Sequence, residues 1–307
     1  MKVLAKRVLQ GSAEKAGVPW EATRAALVGR QSAELKAIKA ELEDRTLVYP
    51  SYYEQAFHAY PEGNLGWLPA AEVEAATAAM ALRTFKDPAL TPAAAQAKLR
   101  GNIMDRVNEF RREQGCRPVE AALDVGASAG VSARALADAF PSASVTGLDL
   151  SPFFLAVAEL RERQLEAGGG DAGPVATARA PGRRRVRYVH ANAEAAPFPA
   201  ESFDLVTSCF VVHECRPAPI EAMVAEAARV LRPGGALAVV DNDPASPTIQ
   251  NLNPALFTLM KSTEPWSDEY YGFDVEAAFE RAGLTAVRTA TADHRHRVVL
   301  GVKPWGQ

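Results

Sequence analysis

From position 121 the chain runs Ala121-Ala122-Leu123-Asp124-Val125-Gly126-Ala127-Ser128-Ala129-Gly130. The first five residues have the length and apolar character of a short buried strand. The glycines that follow permit a tight turn and close approach of the backbone to a ligand. A helical pattern begins directly after them, with free backbone N–H groups at its start. This run therefore predicts a strand, a ligand-binding turn and a helix in direct succession, an arrangement shared by many nucleotide-binding folds.

Beyond this run, apolar strands alternate with helical patterns to the end of the chain. The predicted strands span 121–125, 144–148, 186–189, 203–212, 236–240, 285–291 and 296–302, and the predicted helices span 131–140, 152–166, 220–231 and 275–282. Such alternation is typical of right-handed crossovers and an α/β fold with a mainly parallel sheet, here of seven strands. Only a few residues separate the last two strands, so we predict that they form an antiparallel hairpin.

The first 115 residues have a different character, rich in alanine with apolar residues at helical spacing over 34–42, 72–82 and 94–110. The segment from Tyr49 to Trp67, here called the aromatic loop, is dense in Tyr, Trp, Pro and Gly, which predicts a fixed surface loop. We therefore predict a helical N-terminal cap over residues 1–115 and an α/β domain over residues 116–307. A Gly-, Pro- and Arg-rich insertion is expected at about residues 167–185.

The composition limits the classes of function. The 307 residues are 48% hydrophobic and 23% charged, which suits one large domain or a domain with a cap. A net charge of -3 gives no reason to expect a nucleic-acid partner. No apolar run is long enough to span a membrane, and the N-terminus lacks the apolar core of a secretory signal. The odd number of cysteines, without a C-x-x-C pair, fits a reducing compartment. We expect a soluble, intracellular, cytoplasmic protein; a plastid location stays open if a transit peptide was removed.

The second predicted strand ends in an acid. Asp149 follows the glycine turn by about twenty residues, where a carboxylate can accept hydrogen bonds from both hydroxyls of a ribose. The alternative role of Asp149 is to cap the next helix together with Ser151. The joint occurrence of turn and acid favours the ribose role.

Five motifs in order resemble those of the class I S-adenosylmethionine (SAM)-dependent methyltransferases. They are Asp124 to Gly130, Asp149, Asn192-Ala193-Glu194, Phe203-Asp204-Leu205-Val206 and Leu231-Arg232-Pro233-Gly234-Gly235. The resemblance implies a Rossmann-like fold, SAM as the cofactor, S-adenosylhomocysteine (SAH) as its product, and transfer by in-line displacement. The region 242–297, including Phe257 to Trp266, and the segment 57–65 resemble a plant and green-algal branch of these enzymes.

The resemblance also implies roles for single residues. The methionine part of SAM would be wrapped by Gly126, Ala127, Ser128 and Gly130. Asp124 would hold its amino group directly or through water, with Cys209 nearby. Asp149 would bind the ribose, Leu150 would pack on the adenine, and Asn192 and Ala193 would approach the adenine amine. Ser128 and Asn192 depart from the family pattern, which more often has Gly and Asp there. Serine is small enough to preserve the turn, and the Asn carbonyl still offers an acceptor.

The ends of the fourth and fifth strands predict the acceptor side of the cleft. Phe210 lies near the end of the fourth strand, His213 and Glu214 follow it, and Asp241 and Asn242 follow the fifth strand. A histidine there can serve as a general base, line the pocket or be structural. A set of mainly aromatic side chains is predicted to form a lid over the sulfonium, because aromatic faces attract cations and exclude water. The alternative is that these side chains pack the cap against the core. The lid candidates are Tyr52, Tyr53, Phe57, His58, Tyr60, Met260, Trp266, Tyr270 and Tyr271.

Several alternatives stay open at this point. Asp241 and Asp243 lack the further oxygen ligands that a metal needs, so no metal is predicted. Cys209 and Cys215 either fill space or bind a soft metalloid, as in an arsenite methyltransferase. An NAD(P)-dependent oxidoreductase would use the same turn and Asp149, but the usual G-x-G-x-x-G is missing. A catalytically inactive SAM-binding partner protein is the other alternative. The expected acceptor is a small molecule, and the oligomeric state is not determined by the sequence.

Overall fold

The computed structural model describes residues 2–30, 32–168, 173–175, 185–254, 258, 261 and 263–306. Its N-terminal part is helical, as predicted, with α1 (Lys2–Lys15), α2 (Trp20–Ala25), a π-helical turn (Ala26–Arg30), α3 (Ser32–Leu42), α4 (Trp67–Phe85) and α5 (Pro92–Glu113). The start of α5 follows from its sequence, because the Thr91 side chain accepts from the backbone N–H of Ala94 and Pro92 takes the first helical position.

The described strands form one seven-stranded sheet in the order β3-β2-β1-β4-β5-β7-β6. They are β1 (Ala121–Val125), β2 (Ser144–Asp149), β3 (Val186–His190), β4 (Phe203–Cys209), β5 (Leu231–Asn242), β6 (Thr285–Thr291) and β7 (His296–Val302). The pairings among β1 to β5 are parallel, and β7 pairs antiparallel with both β5 and β6. The predicted architecture and terminal hairpin are confirmed. The order reverses between β1 and β4, where ligands of such sheets bind.

Helices cover both faces of this sheet. They are α6 (Val131–Ala139), α7 (Pro152–Glu166), α8 (Pro217–Val230), α9 (Pro247–Gln250), α10 (Ser267–Tyr271) and α11 (Val275–Arg281). Alternate strand residues point to opposite faces, so Ala122 belongs to the core that α5 and α6 cover, while Leu123 belongs to the core beneath α8 and α11. Because α5 contributes Leu99 and Ile103 to the first core, the N-terminal helices are built into the sheet's packing. Among the described residues, no helix combines the length and apolar character needed to cross a bilayer.

Two strand boundaries differ from the prediction by three or more residues, and the others by at most two. β4 was expected to continue to Val212 but ends at Cys209, because Phe210 adopts a left-handed conformation with φ of 63° and a 3₁₀ turn (Val212–Glu214) follows. β5 begins five residues earlier than expected, at Leu231, so the Arg-Pro-Gly-Gly motif lies inside the strand. The turn after Cys209 moves His213 out of the strand and onto a loop over the strand ends.

A buried charge network fixes the helical cap to the α/β part. Glu74 of α4 is fully buried, and its carboxylate lies 2.8 Å from Nη2 of Arg161 on α7 and 3.4 Å from Nη2 of Arg134 on α6. Removing one partner of such a network leaves an uncompensated buried charge, which makes a displaced cap costly. The network therefore orients the N-terminal helices against the strand ends.

Candidate active site

The glycine turn after β1 has the backbone conformation that its sequence predicts. Gly126, Ser128 and Gly130 have φ of 71°, 50° and 78°. A Cβ atom on Gly126 would overlap Val211, and one on Gly130 would overlap the Tyr188 hydroxyl, so both positions require glycine. The hydroxyl oxygen of Ser128 is buried and has no hydrogen-bond partner among the described residues. The turn thus forms a cradle with one polar group left for a ligand.

Asp149 sits at the carboxyl end of β2, directly beside this turn. One carboxylate oxygen accepts from the backbone N–H of Ser128 at 2.8 Å, and the other from that of Ser151 at 2.7 Å. Burial raises the pKa of Asp149 to about 6, against the effect of the two N–H donors. Its contact with Ser151 is the local capping contact considered as the alternative, and its contact with Ser128 ties the acid to the turn. Each oxygen retains a second lone pair for a ribose hydroxyl.

Asp124 lies beneath the turn and is fully buried. Its carboxylate accepts from the hydroxyl of Ser132 on α6 at 2.5 Å and from that of Thr207 on β4 at 2.9 Å. Burial raises its pKa to about 6, and the two hydroxyl donors act in the opposite direction. Asp124 therefore links β1, α6 and β4 at the switch point, and its contact with the amino group of SAM stays a prediction.

The end of β3 provides the next wall. The Asn192 side chain accepts from the backbone N–H of Glu194 at 2.9 Å and so begins the short turn Ala193–Ala195. Glu194 in turn accepts from the hydroxyl of Tyr52 at 2.8 Å. The Asn192 side-chain carbonyl, which is predicted to face the adenine, is thus already engaged in shaping the backbone at Ala193. Leu150 is half-buried.

The aromatic loop lies across these strand ends. The hydroxyl of Ser151 donates to the carbonyl of Asn64 at 2.6 Å, and the Asn64 amide donates to Glu214 at 3.0 Å. The backbone N–H of His58 donates to the carbonyl of Thr263 at 2.9 Å, which joins the loop to the segment before α10. The loop is therefore held by elements that follow β2, β4 and β5, as expected for a lid.

His213 and Asp241 form the acidic and basic centre on the β4 and β5 side. Nδ1 of His213 lies 2.8 Å from Oδ1 of Asp241, and its backbone N–H donates to Oδ2 of Asp241 at 3.2 Å. Burial on its own would lower the pKa of His213. The charge of Asp241 and the hydrogen bond to it, with the charges of Glu264 and Glu214, instead raise this pKa to about 10. The imidazole is protonated at neutral pH in this arrangement.

Comparison with known proteins fits this geometry. Residues 123–239 match the model of a family described as a methyltransferase domain. A protein of Synechocystis sp. named as an uncharacterized methyltransferase is 31% identical over 172 residues, which cover 56% of this chain and 69% of that protein. The chain belongs to the class I SAM-dependent methyltransferases.

Two further proteins resemble parts of this methyltransferase. Demethylmenaquinone methyltransferase of Thermus thermophilus is 35% identical over 122 residues, 40% of this chain and 47% of its own length. The match thus spans about half of that relative. Among solved structures, the SAM-dependent methyltransferase SibL in its apo form is 25% identical with a TM-score of 0.48, over 73% of this chain and 62% of its own.

The residues present fit SAM, which this class of methyltransferase uses as its methyl donor. The turn offers the unpartnered Ser128 hydroxyl, and Asp149 is held between two backbone N–H groups with lone pairs to spare. Both glycines leave volume that any side chain would fill. The residues that would hold SAM are therefore those of the turn, Asp149 and the β3 end. The NAD(P) alternative is set aside by the family match.

A second charged cluster borders His213. Nε2 of His58 lies 3.6 Å from Oε1 of Glu264, and Nδ1 of His58 lies 4.0 Å from Oε1 of Glu214. Burial would raise the pKa of Glu264, but hydrogen bonding to His58 and the charges of both histidines lower it to about 2. One ligand atom each of His58, His213 and Glu264 lie within 4.8 Å of one another, so these three could hold a metal ion. The ion pairs of His58 with Glu264 and of His213 with Asp241 already explain why these side chains lie close together.

The structure places some of the lid candidates at the cleft, whereas others lie elsewhere. Tyr53 is half-buried, and burial followed by the charges of Asp149 and Glu214 raises its pKa. Tyr271 is likewise half-buried; burial, then the charge of Glu264, raises its pKa to about 12. Phe57 is buried with its ring edge-on to His58, at a centroid separation of 4.1 Å. With Tyr52, which donates to Glu194, these three lie at the same end of the sheet as the strand ends described above.

Other candidates have structural partners elsewhere. Tyr60 donates to Glu72 inside the cap, and Lys6 lies over its ring. Tyr270 is buried and donates to the Asn242 carbonyl at 2.6 Å, so it packs as core. Trp266 stacks beneath the Arg216 guanidinium at the rim. The placements of Tyr60 and Tyr270 favour the packing alternative, and Met260 lies outside the described residues.

The remaining acceptor-side residues also have partners within the protein. Phe210 lies between Arg100 and His296, at ring-centroid distances of 5.3 Å and 5.0 Å, and faces the interior. The Asn242 side chain accepts from Nε of Arg295 at 3.0 Å. Burial raises the pKa of both Cys209 (to about 12) and Cys215, which disfavours the thiolates that a metalloid would require.

Sequence reasoning missed three residues of this region. Tyr49 bonds through its hydroxyl to Nε2 of His190 at 3.2 Å, which anchors the start of the aromatic loop to the end of β3. Glu264 lies in a segment quoted for its resemblance but without a role of its own. Arg100 lies on an alanine-rich helix with no motif. Each acts through a long-range contact, so no local pattern marks it.

Proposed function

We propose that this methyltransferase transfers the methyl group of SAM to a small aromatic molecule that carries an ionisable hydroxyl, with His213 binding the ionised oxygen. The observation that carries the proposal is the 2.8 Å contact between His213 and Asp241 at the carboxyl ends of two adjacent strands. The contact lies beside the glycine turn and beneath the aromatic loop. SAM supplies an electrophilic methyl group on a sulfonium.

The protonation state of His213 determines which role it takes. A general base must be neutral before it acts, whereas a histidine with a pKa of about 10 is already protonated at neutral pH. Because Nδ1 is engaged by Asp241, Nε2–H is the donor left for an acceptor molecule. An imidazolium there lowers the pKa of a bound hydroxyl, whose proton leaves to solvent, and stabilises the resulting oxyanion.

The surrounding side chains favour an aromatic acceptor. Tyr52, Tyr53, Phe57 and Tyr271 are buried or half-buried around the strand ends and offer flat apolar faces. The Thermus relative is named for methylation of demethylmenaquinone, a quinone, and aligns over 122 residues of this chain. A net charge of -3 gives no electrostatic support for a nucleic-acid acceptor. These features support a small planar acceptor.

The loop contributes by enclosing the reacting groups. Its bonds through Tyr52 and Asn64 hold it over the strand ends, where exclusion of water strengthens the hydrogen bond from His213 to an oxyanion. Alignment of donor and acceptor inside an enclosed site supplies much of the rate of a displacement reaction. In this arrangement Asp241 orients His213 and takes no part as an acceptor of the proton.

The proposal is tested with a substituent series of phenols and hydroquinones, with primary amines and thiols as comparison acceptors, and SAH formation as the readout. SAH should form with the hydroxyaromatic compounds. His213→Gln should lower kcat/KM most for phenols of high pKa, because those need the most help to ionise. His294→Gln changes an exposed histidine and is the matched control. Equal losses across the series, or turnover of amines alone, contradict the proposal.

The same assay tests the alternative that the protein binds SAM but does not catalyse methyl transfer. A protein that binds SAH tightly but forms none from SAM with fractionated metabolite extracts would be a SAM-binding partner protein. We infer turnover, because the turn, Asp149 and the His213–Asp241 pair are present together. An intracellular, cytoplasmic location remains our prediction from the sequence alone.

A further inference from the structure

One buried arginine near the switch point has no anionic partner. Arg100 lies on α5 and is only 8% exposed, and its Nε and Nη1 atoms are buried without a hydrogen-bond partner among the described residues. Within the described chain, no carboxylate lies within ion-pair distance of its guanidinium. Each unpaired N–H of a buried cation carries a large desolvation penalty.

Other buried and partly buried arginines are satisfied differently. Arg134 and Arg161 share the carboxylate of Glu74. Arg111 has one unpartnered nitrogen but donates through Nη2 to the carbonyl of Arg117 at 2.7 Å. Arg288 pairs with Glu113 at 2.7 Å. Arg100 differs because two of its three nitrogens lack partners and it forms no ion pair within the described residues.

The neighbours of Arg100 place it above the ends of β1 and β4. Its guanidinium carbon lies 5.3 Å from the centroid of the Phe210 ring. Burial raises the pKa of Cys209, whereas the charge of Arg100 and a hydrogen bond from it act in the opposite direction. The charge of Arg100 also lowers the pKa of Asp124 against burial. Both oxygens of Asp124 are already engaged by Ser132 and Thr207, so this acid is not the missing partner.

We propose that Arg100 binds the carboxylate of the methionine part of SAM through its unpaired N–H groups. This inference rests on SAM binding at the glycine turn. A guanidinium meets the two oxygens of a carboxylate along one edge, formed by Nη2 together with either Nη1 or Nε, and both Nη1 and Nε of Arg100 are unpartnered among the described residues. The methionine part carries the sole carboxylate of SAM, and the turn, Cys209 and Arg100 converge at the switch point where it is expected. Arg100 thus makes the N-terminal cap part of the cofactor site.

The experiment compares ligands that differ at the methionine part, with affinities measured by calorimetry. SAH carries the carboxylate, 5′-methylthioadenosine lacks the amino-acid part, and decarboxylated SAM lacks the carboxylate alone. Arg100→Gln should weaken SAH binding by about 10- to 100-fold, since hydrogen bonds to a charged group are lost. Its affinity for 5′-methylthioadenosine should stay within about twofold of wild type. Arg106→Gln, at a partly exposed position on the same helix that pairs with Glu109, is the control.

Three results would overturn the inference. One is unchanged SAH affinity in Arg100→Gln. Another is an equal loss of SAH and 5′-methylthioadenosine affinity, which assigns Arg100 to the fold. The third needs no variant: wild-type protein that binds decarboxylated SAM as tightly as SAM has no carboxylate subsite. If wild type binds neither SAH nor 5′-methylthioadenosine, SAM binding itself fails. If it binds both equally, the subsite alone fails.

Discussion

Nδ1 of His213 lies 2.8 Å from Oδ1 of Asp241. His213 lies in the turn after β4, and Asp241 lies at the carboxyl end of the neighbouring parallel strand β5. The pair makes the stability of the protein depend on pH. The folded pKa of His213, about 10, exceeds its unfolded value of about 6.5. Its contribution to stability is therefore fully present below pH of about 6.5 and is lost as pH rises through about 10.

We expect Asp241→Asn to remove this dependence. Between pH 6 and pH 10.5, about the span of the two pKa values, the melting temperature of wild type should fall more steeply than that of the variant. Asp243→Asn is the control, because the Asp243 carboxylate accepts from the backbone N–H of Ala245 instead. Parallel melting curves for wild type and Asp241→Asn would show that the pair is not coupled in solution.

Asp149 is expected to serve both the turn and the ribose. Asp149→Ala should weaken SAH binding by a few kcal/mol, about 30-fold or more, because hydrogen bonds to a charged acceptor disappear. Part of this loss comes from the Ser128 N–H, which Asp149 holds at 2.8 Å. Calorimetry with SAH measures the effect, and Asp105→Ala on the exposed face of α5 is the control. Unchanged affinity contradicts the ribose assignment.

The glycine turn allows a test by double substitution. Gly130→Ala should destabilise the fold by about 1–3 kcal/mol, since the added methyl overlaps the Tyr188 hydroxyl and φ is 78°. Tyr188→Phe should be close to neutral, because that hydroxyl is buried without a partner among the described residues. The double variant should recover part of the loss. Additive effects in urea unfolding would mean that the two groups do not meet.

Two tyrosines of the aromatic loop are predicted to differ in effect. Tyr52 donates to Glu194 across the cleft at 2.8 Å, while Tyr60 donates to Glu72 within the cap. Tyr52→Phe should speed SAH dissociation about tenfold, the value of one hydrogen bond to a charged acceptor. Tyr60→Phe should leave this rate nearly unchanged, as stopped-flow measurement would show. Similar rates for both variants would mean that Tyr52 does not retain the cofactor.

The sequence was sufficient for the fold, because alternation and the glycine turn depend on local pattern. The parallel core and the terminal hairpin followed from it, whereas the strand order came from the structure. The end of β4 did not, since nothing in an apolar run marks Phe210 for a left-handed conformation. Aromatic residues gave the same difficulty: Tyr53 at the cleft and Tyr270 in the core are alike in sequence and differ only in long-range packing.

The site residues show the same difference between contacts that follow from local sequence and contacts that depend on the packing of distant segments. The turn and Asp149 are neighbours in a strand-turn-helix pattern, so their proximity could be predicted. Glu264, His58 and Arg100 come from segments far apart in the chain and meet only once the N-terminal helices are placed. Their roles depend on burial and on unpaired groups, which a pattern of residue types does not contain.

The bonds of the aromatic loop to Thr263, Glu194 and Glu214 have a kinetic consequence. We expect exchange of a nucleoside-sized ligand to require that these bonds break and that the loop moves away. Opening of such loops takes microseconds to milliseconds and often exceeds the chemical step in duration. Turnover should then begin with a burst of SAH equal to the enzyme concentration, followed by a slower steady state. Once the loop has shut, a bound acceptor is committed to reaction.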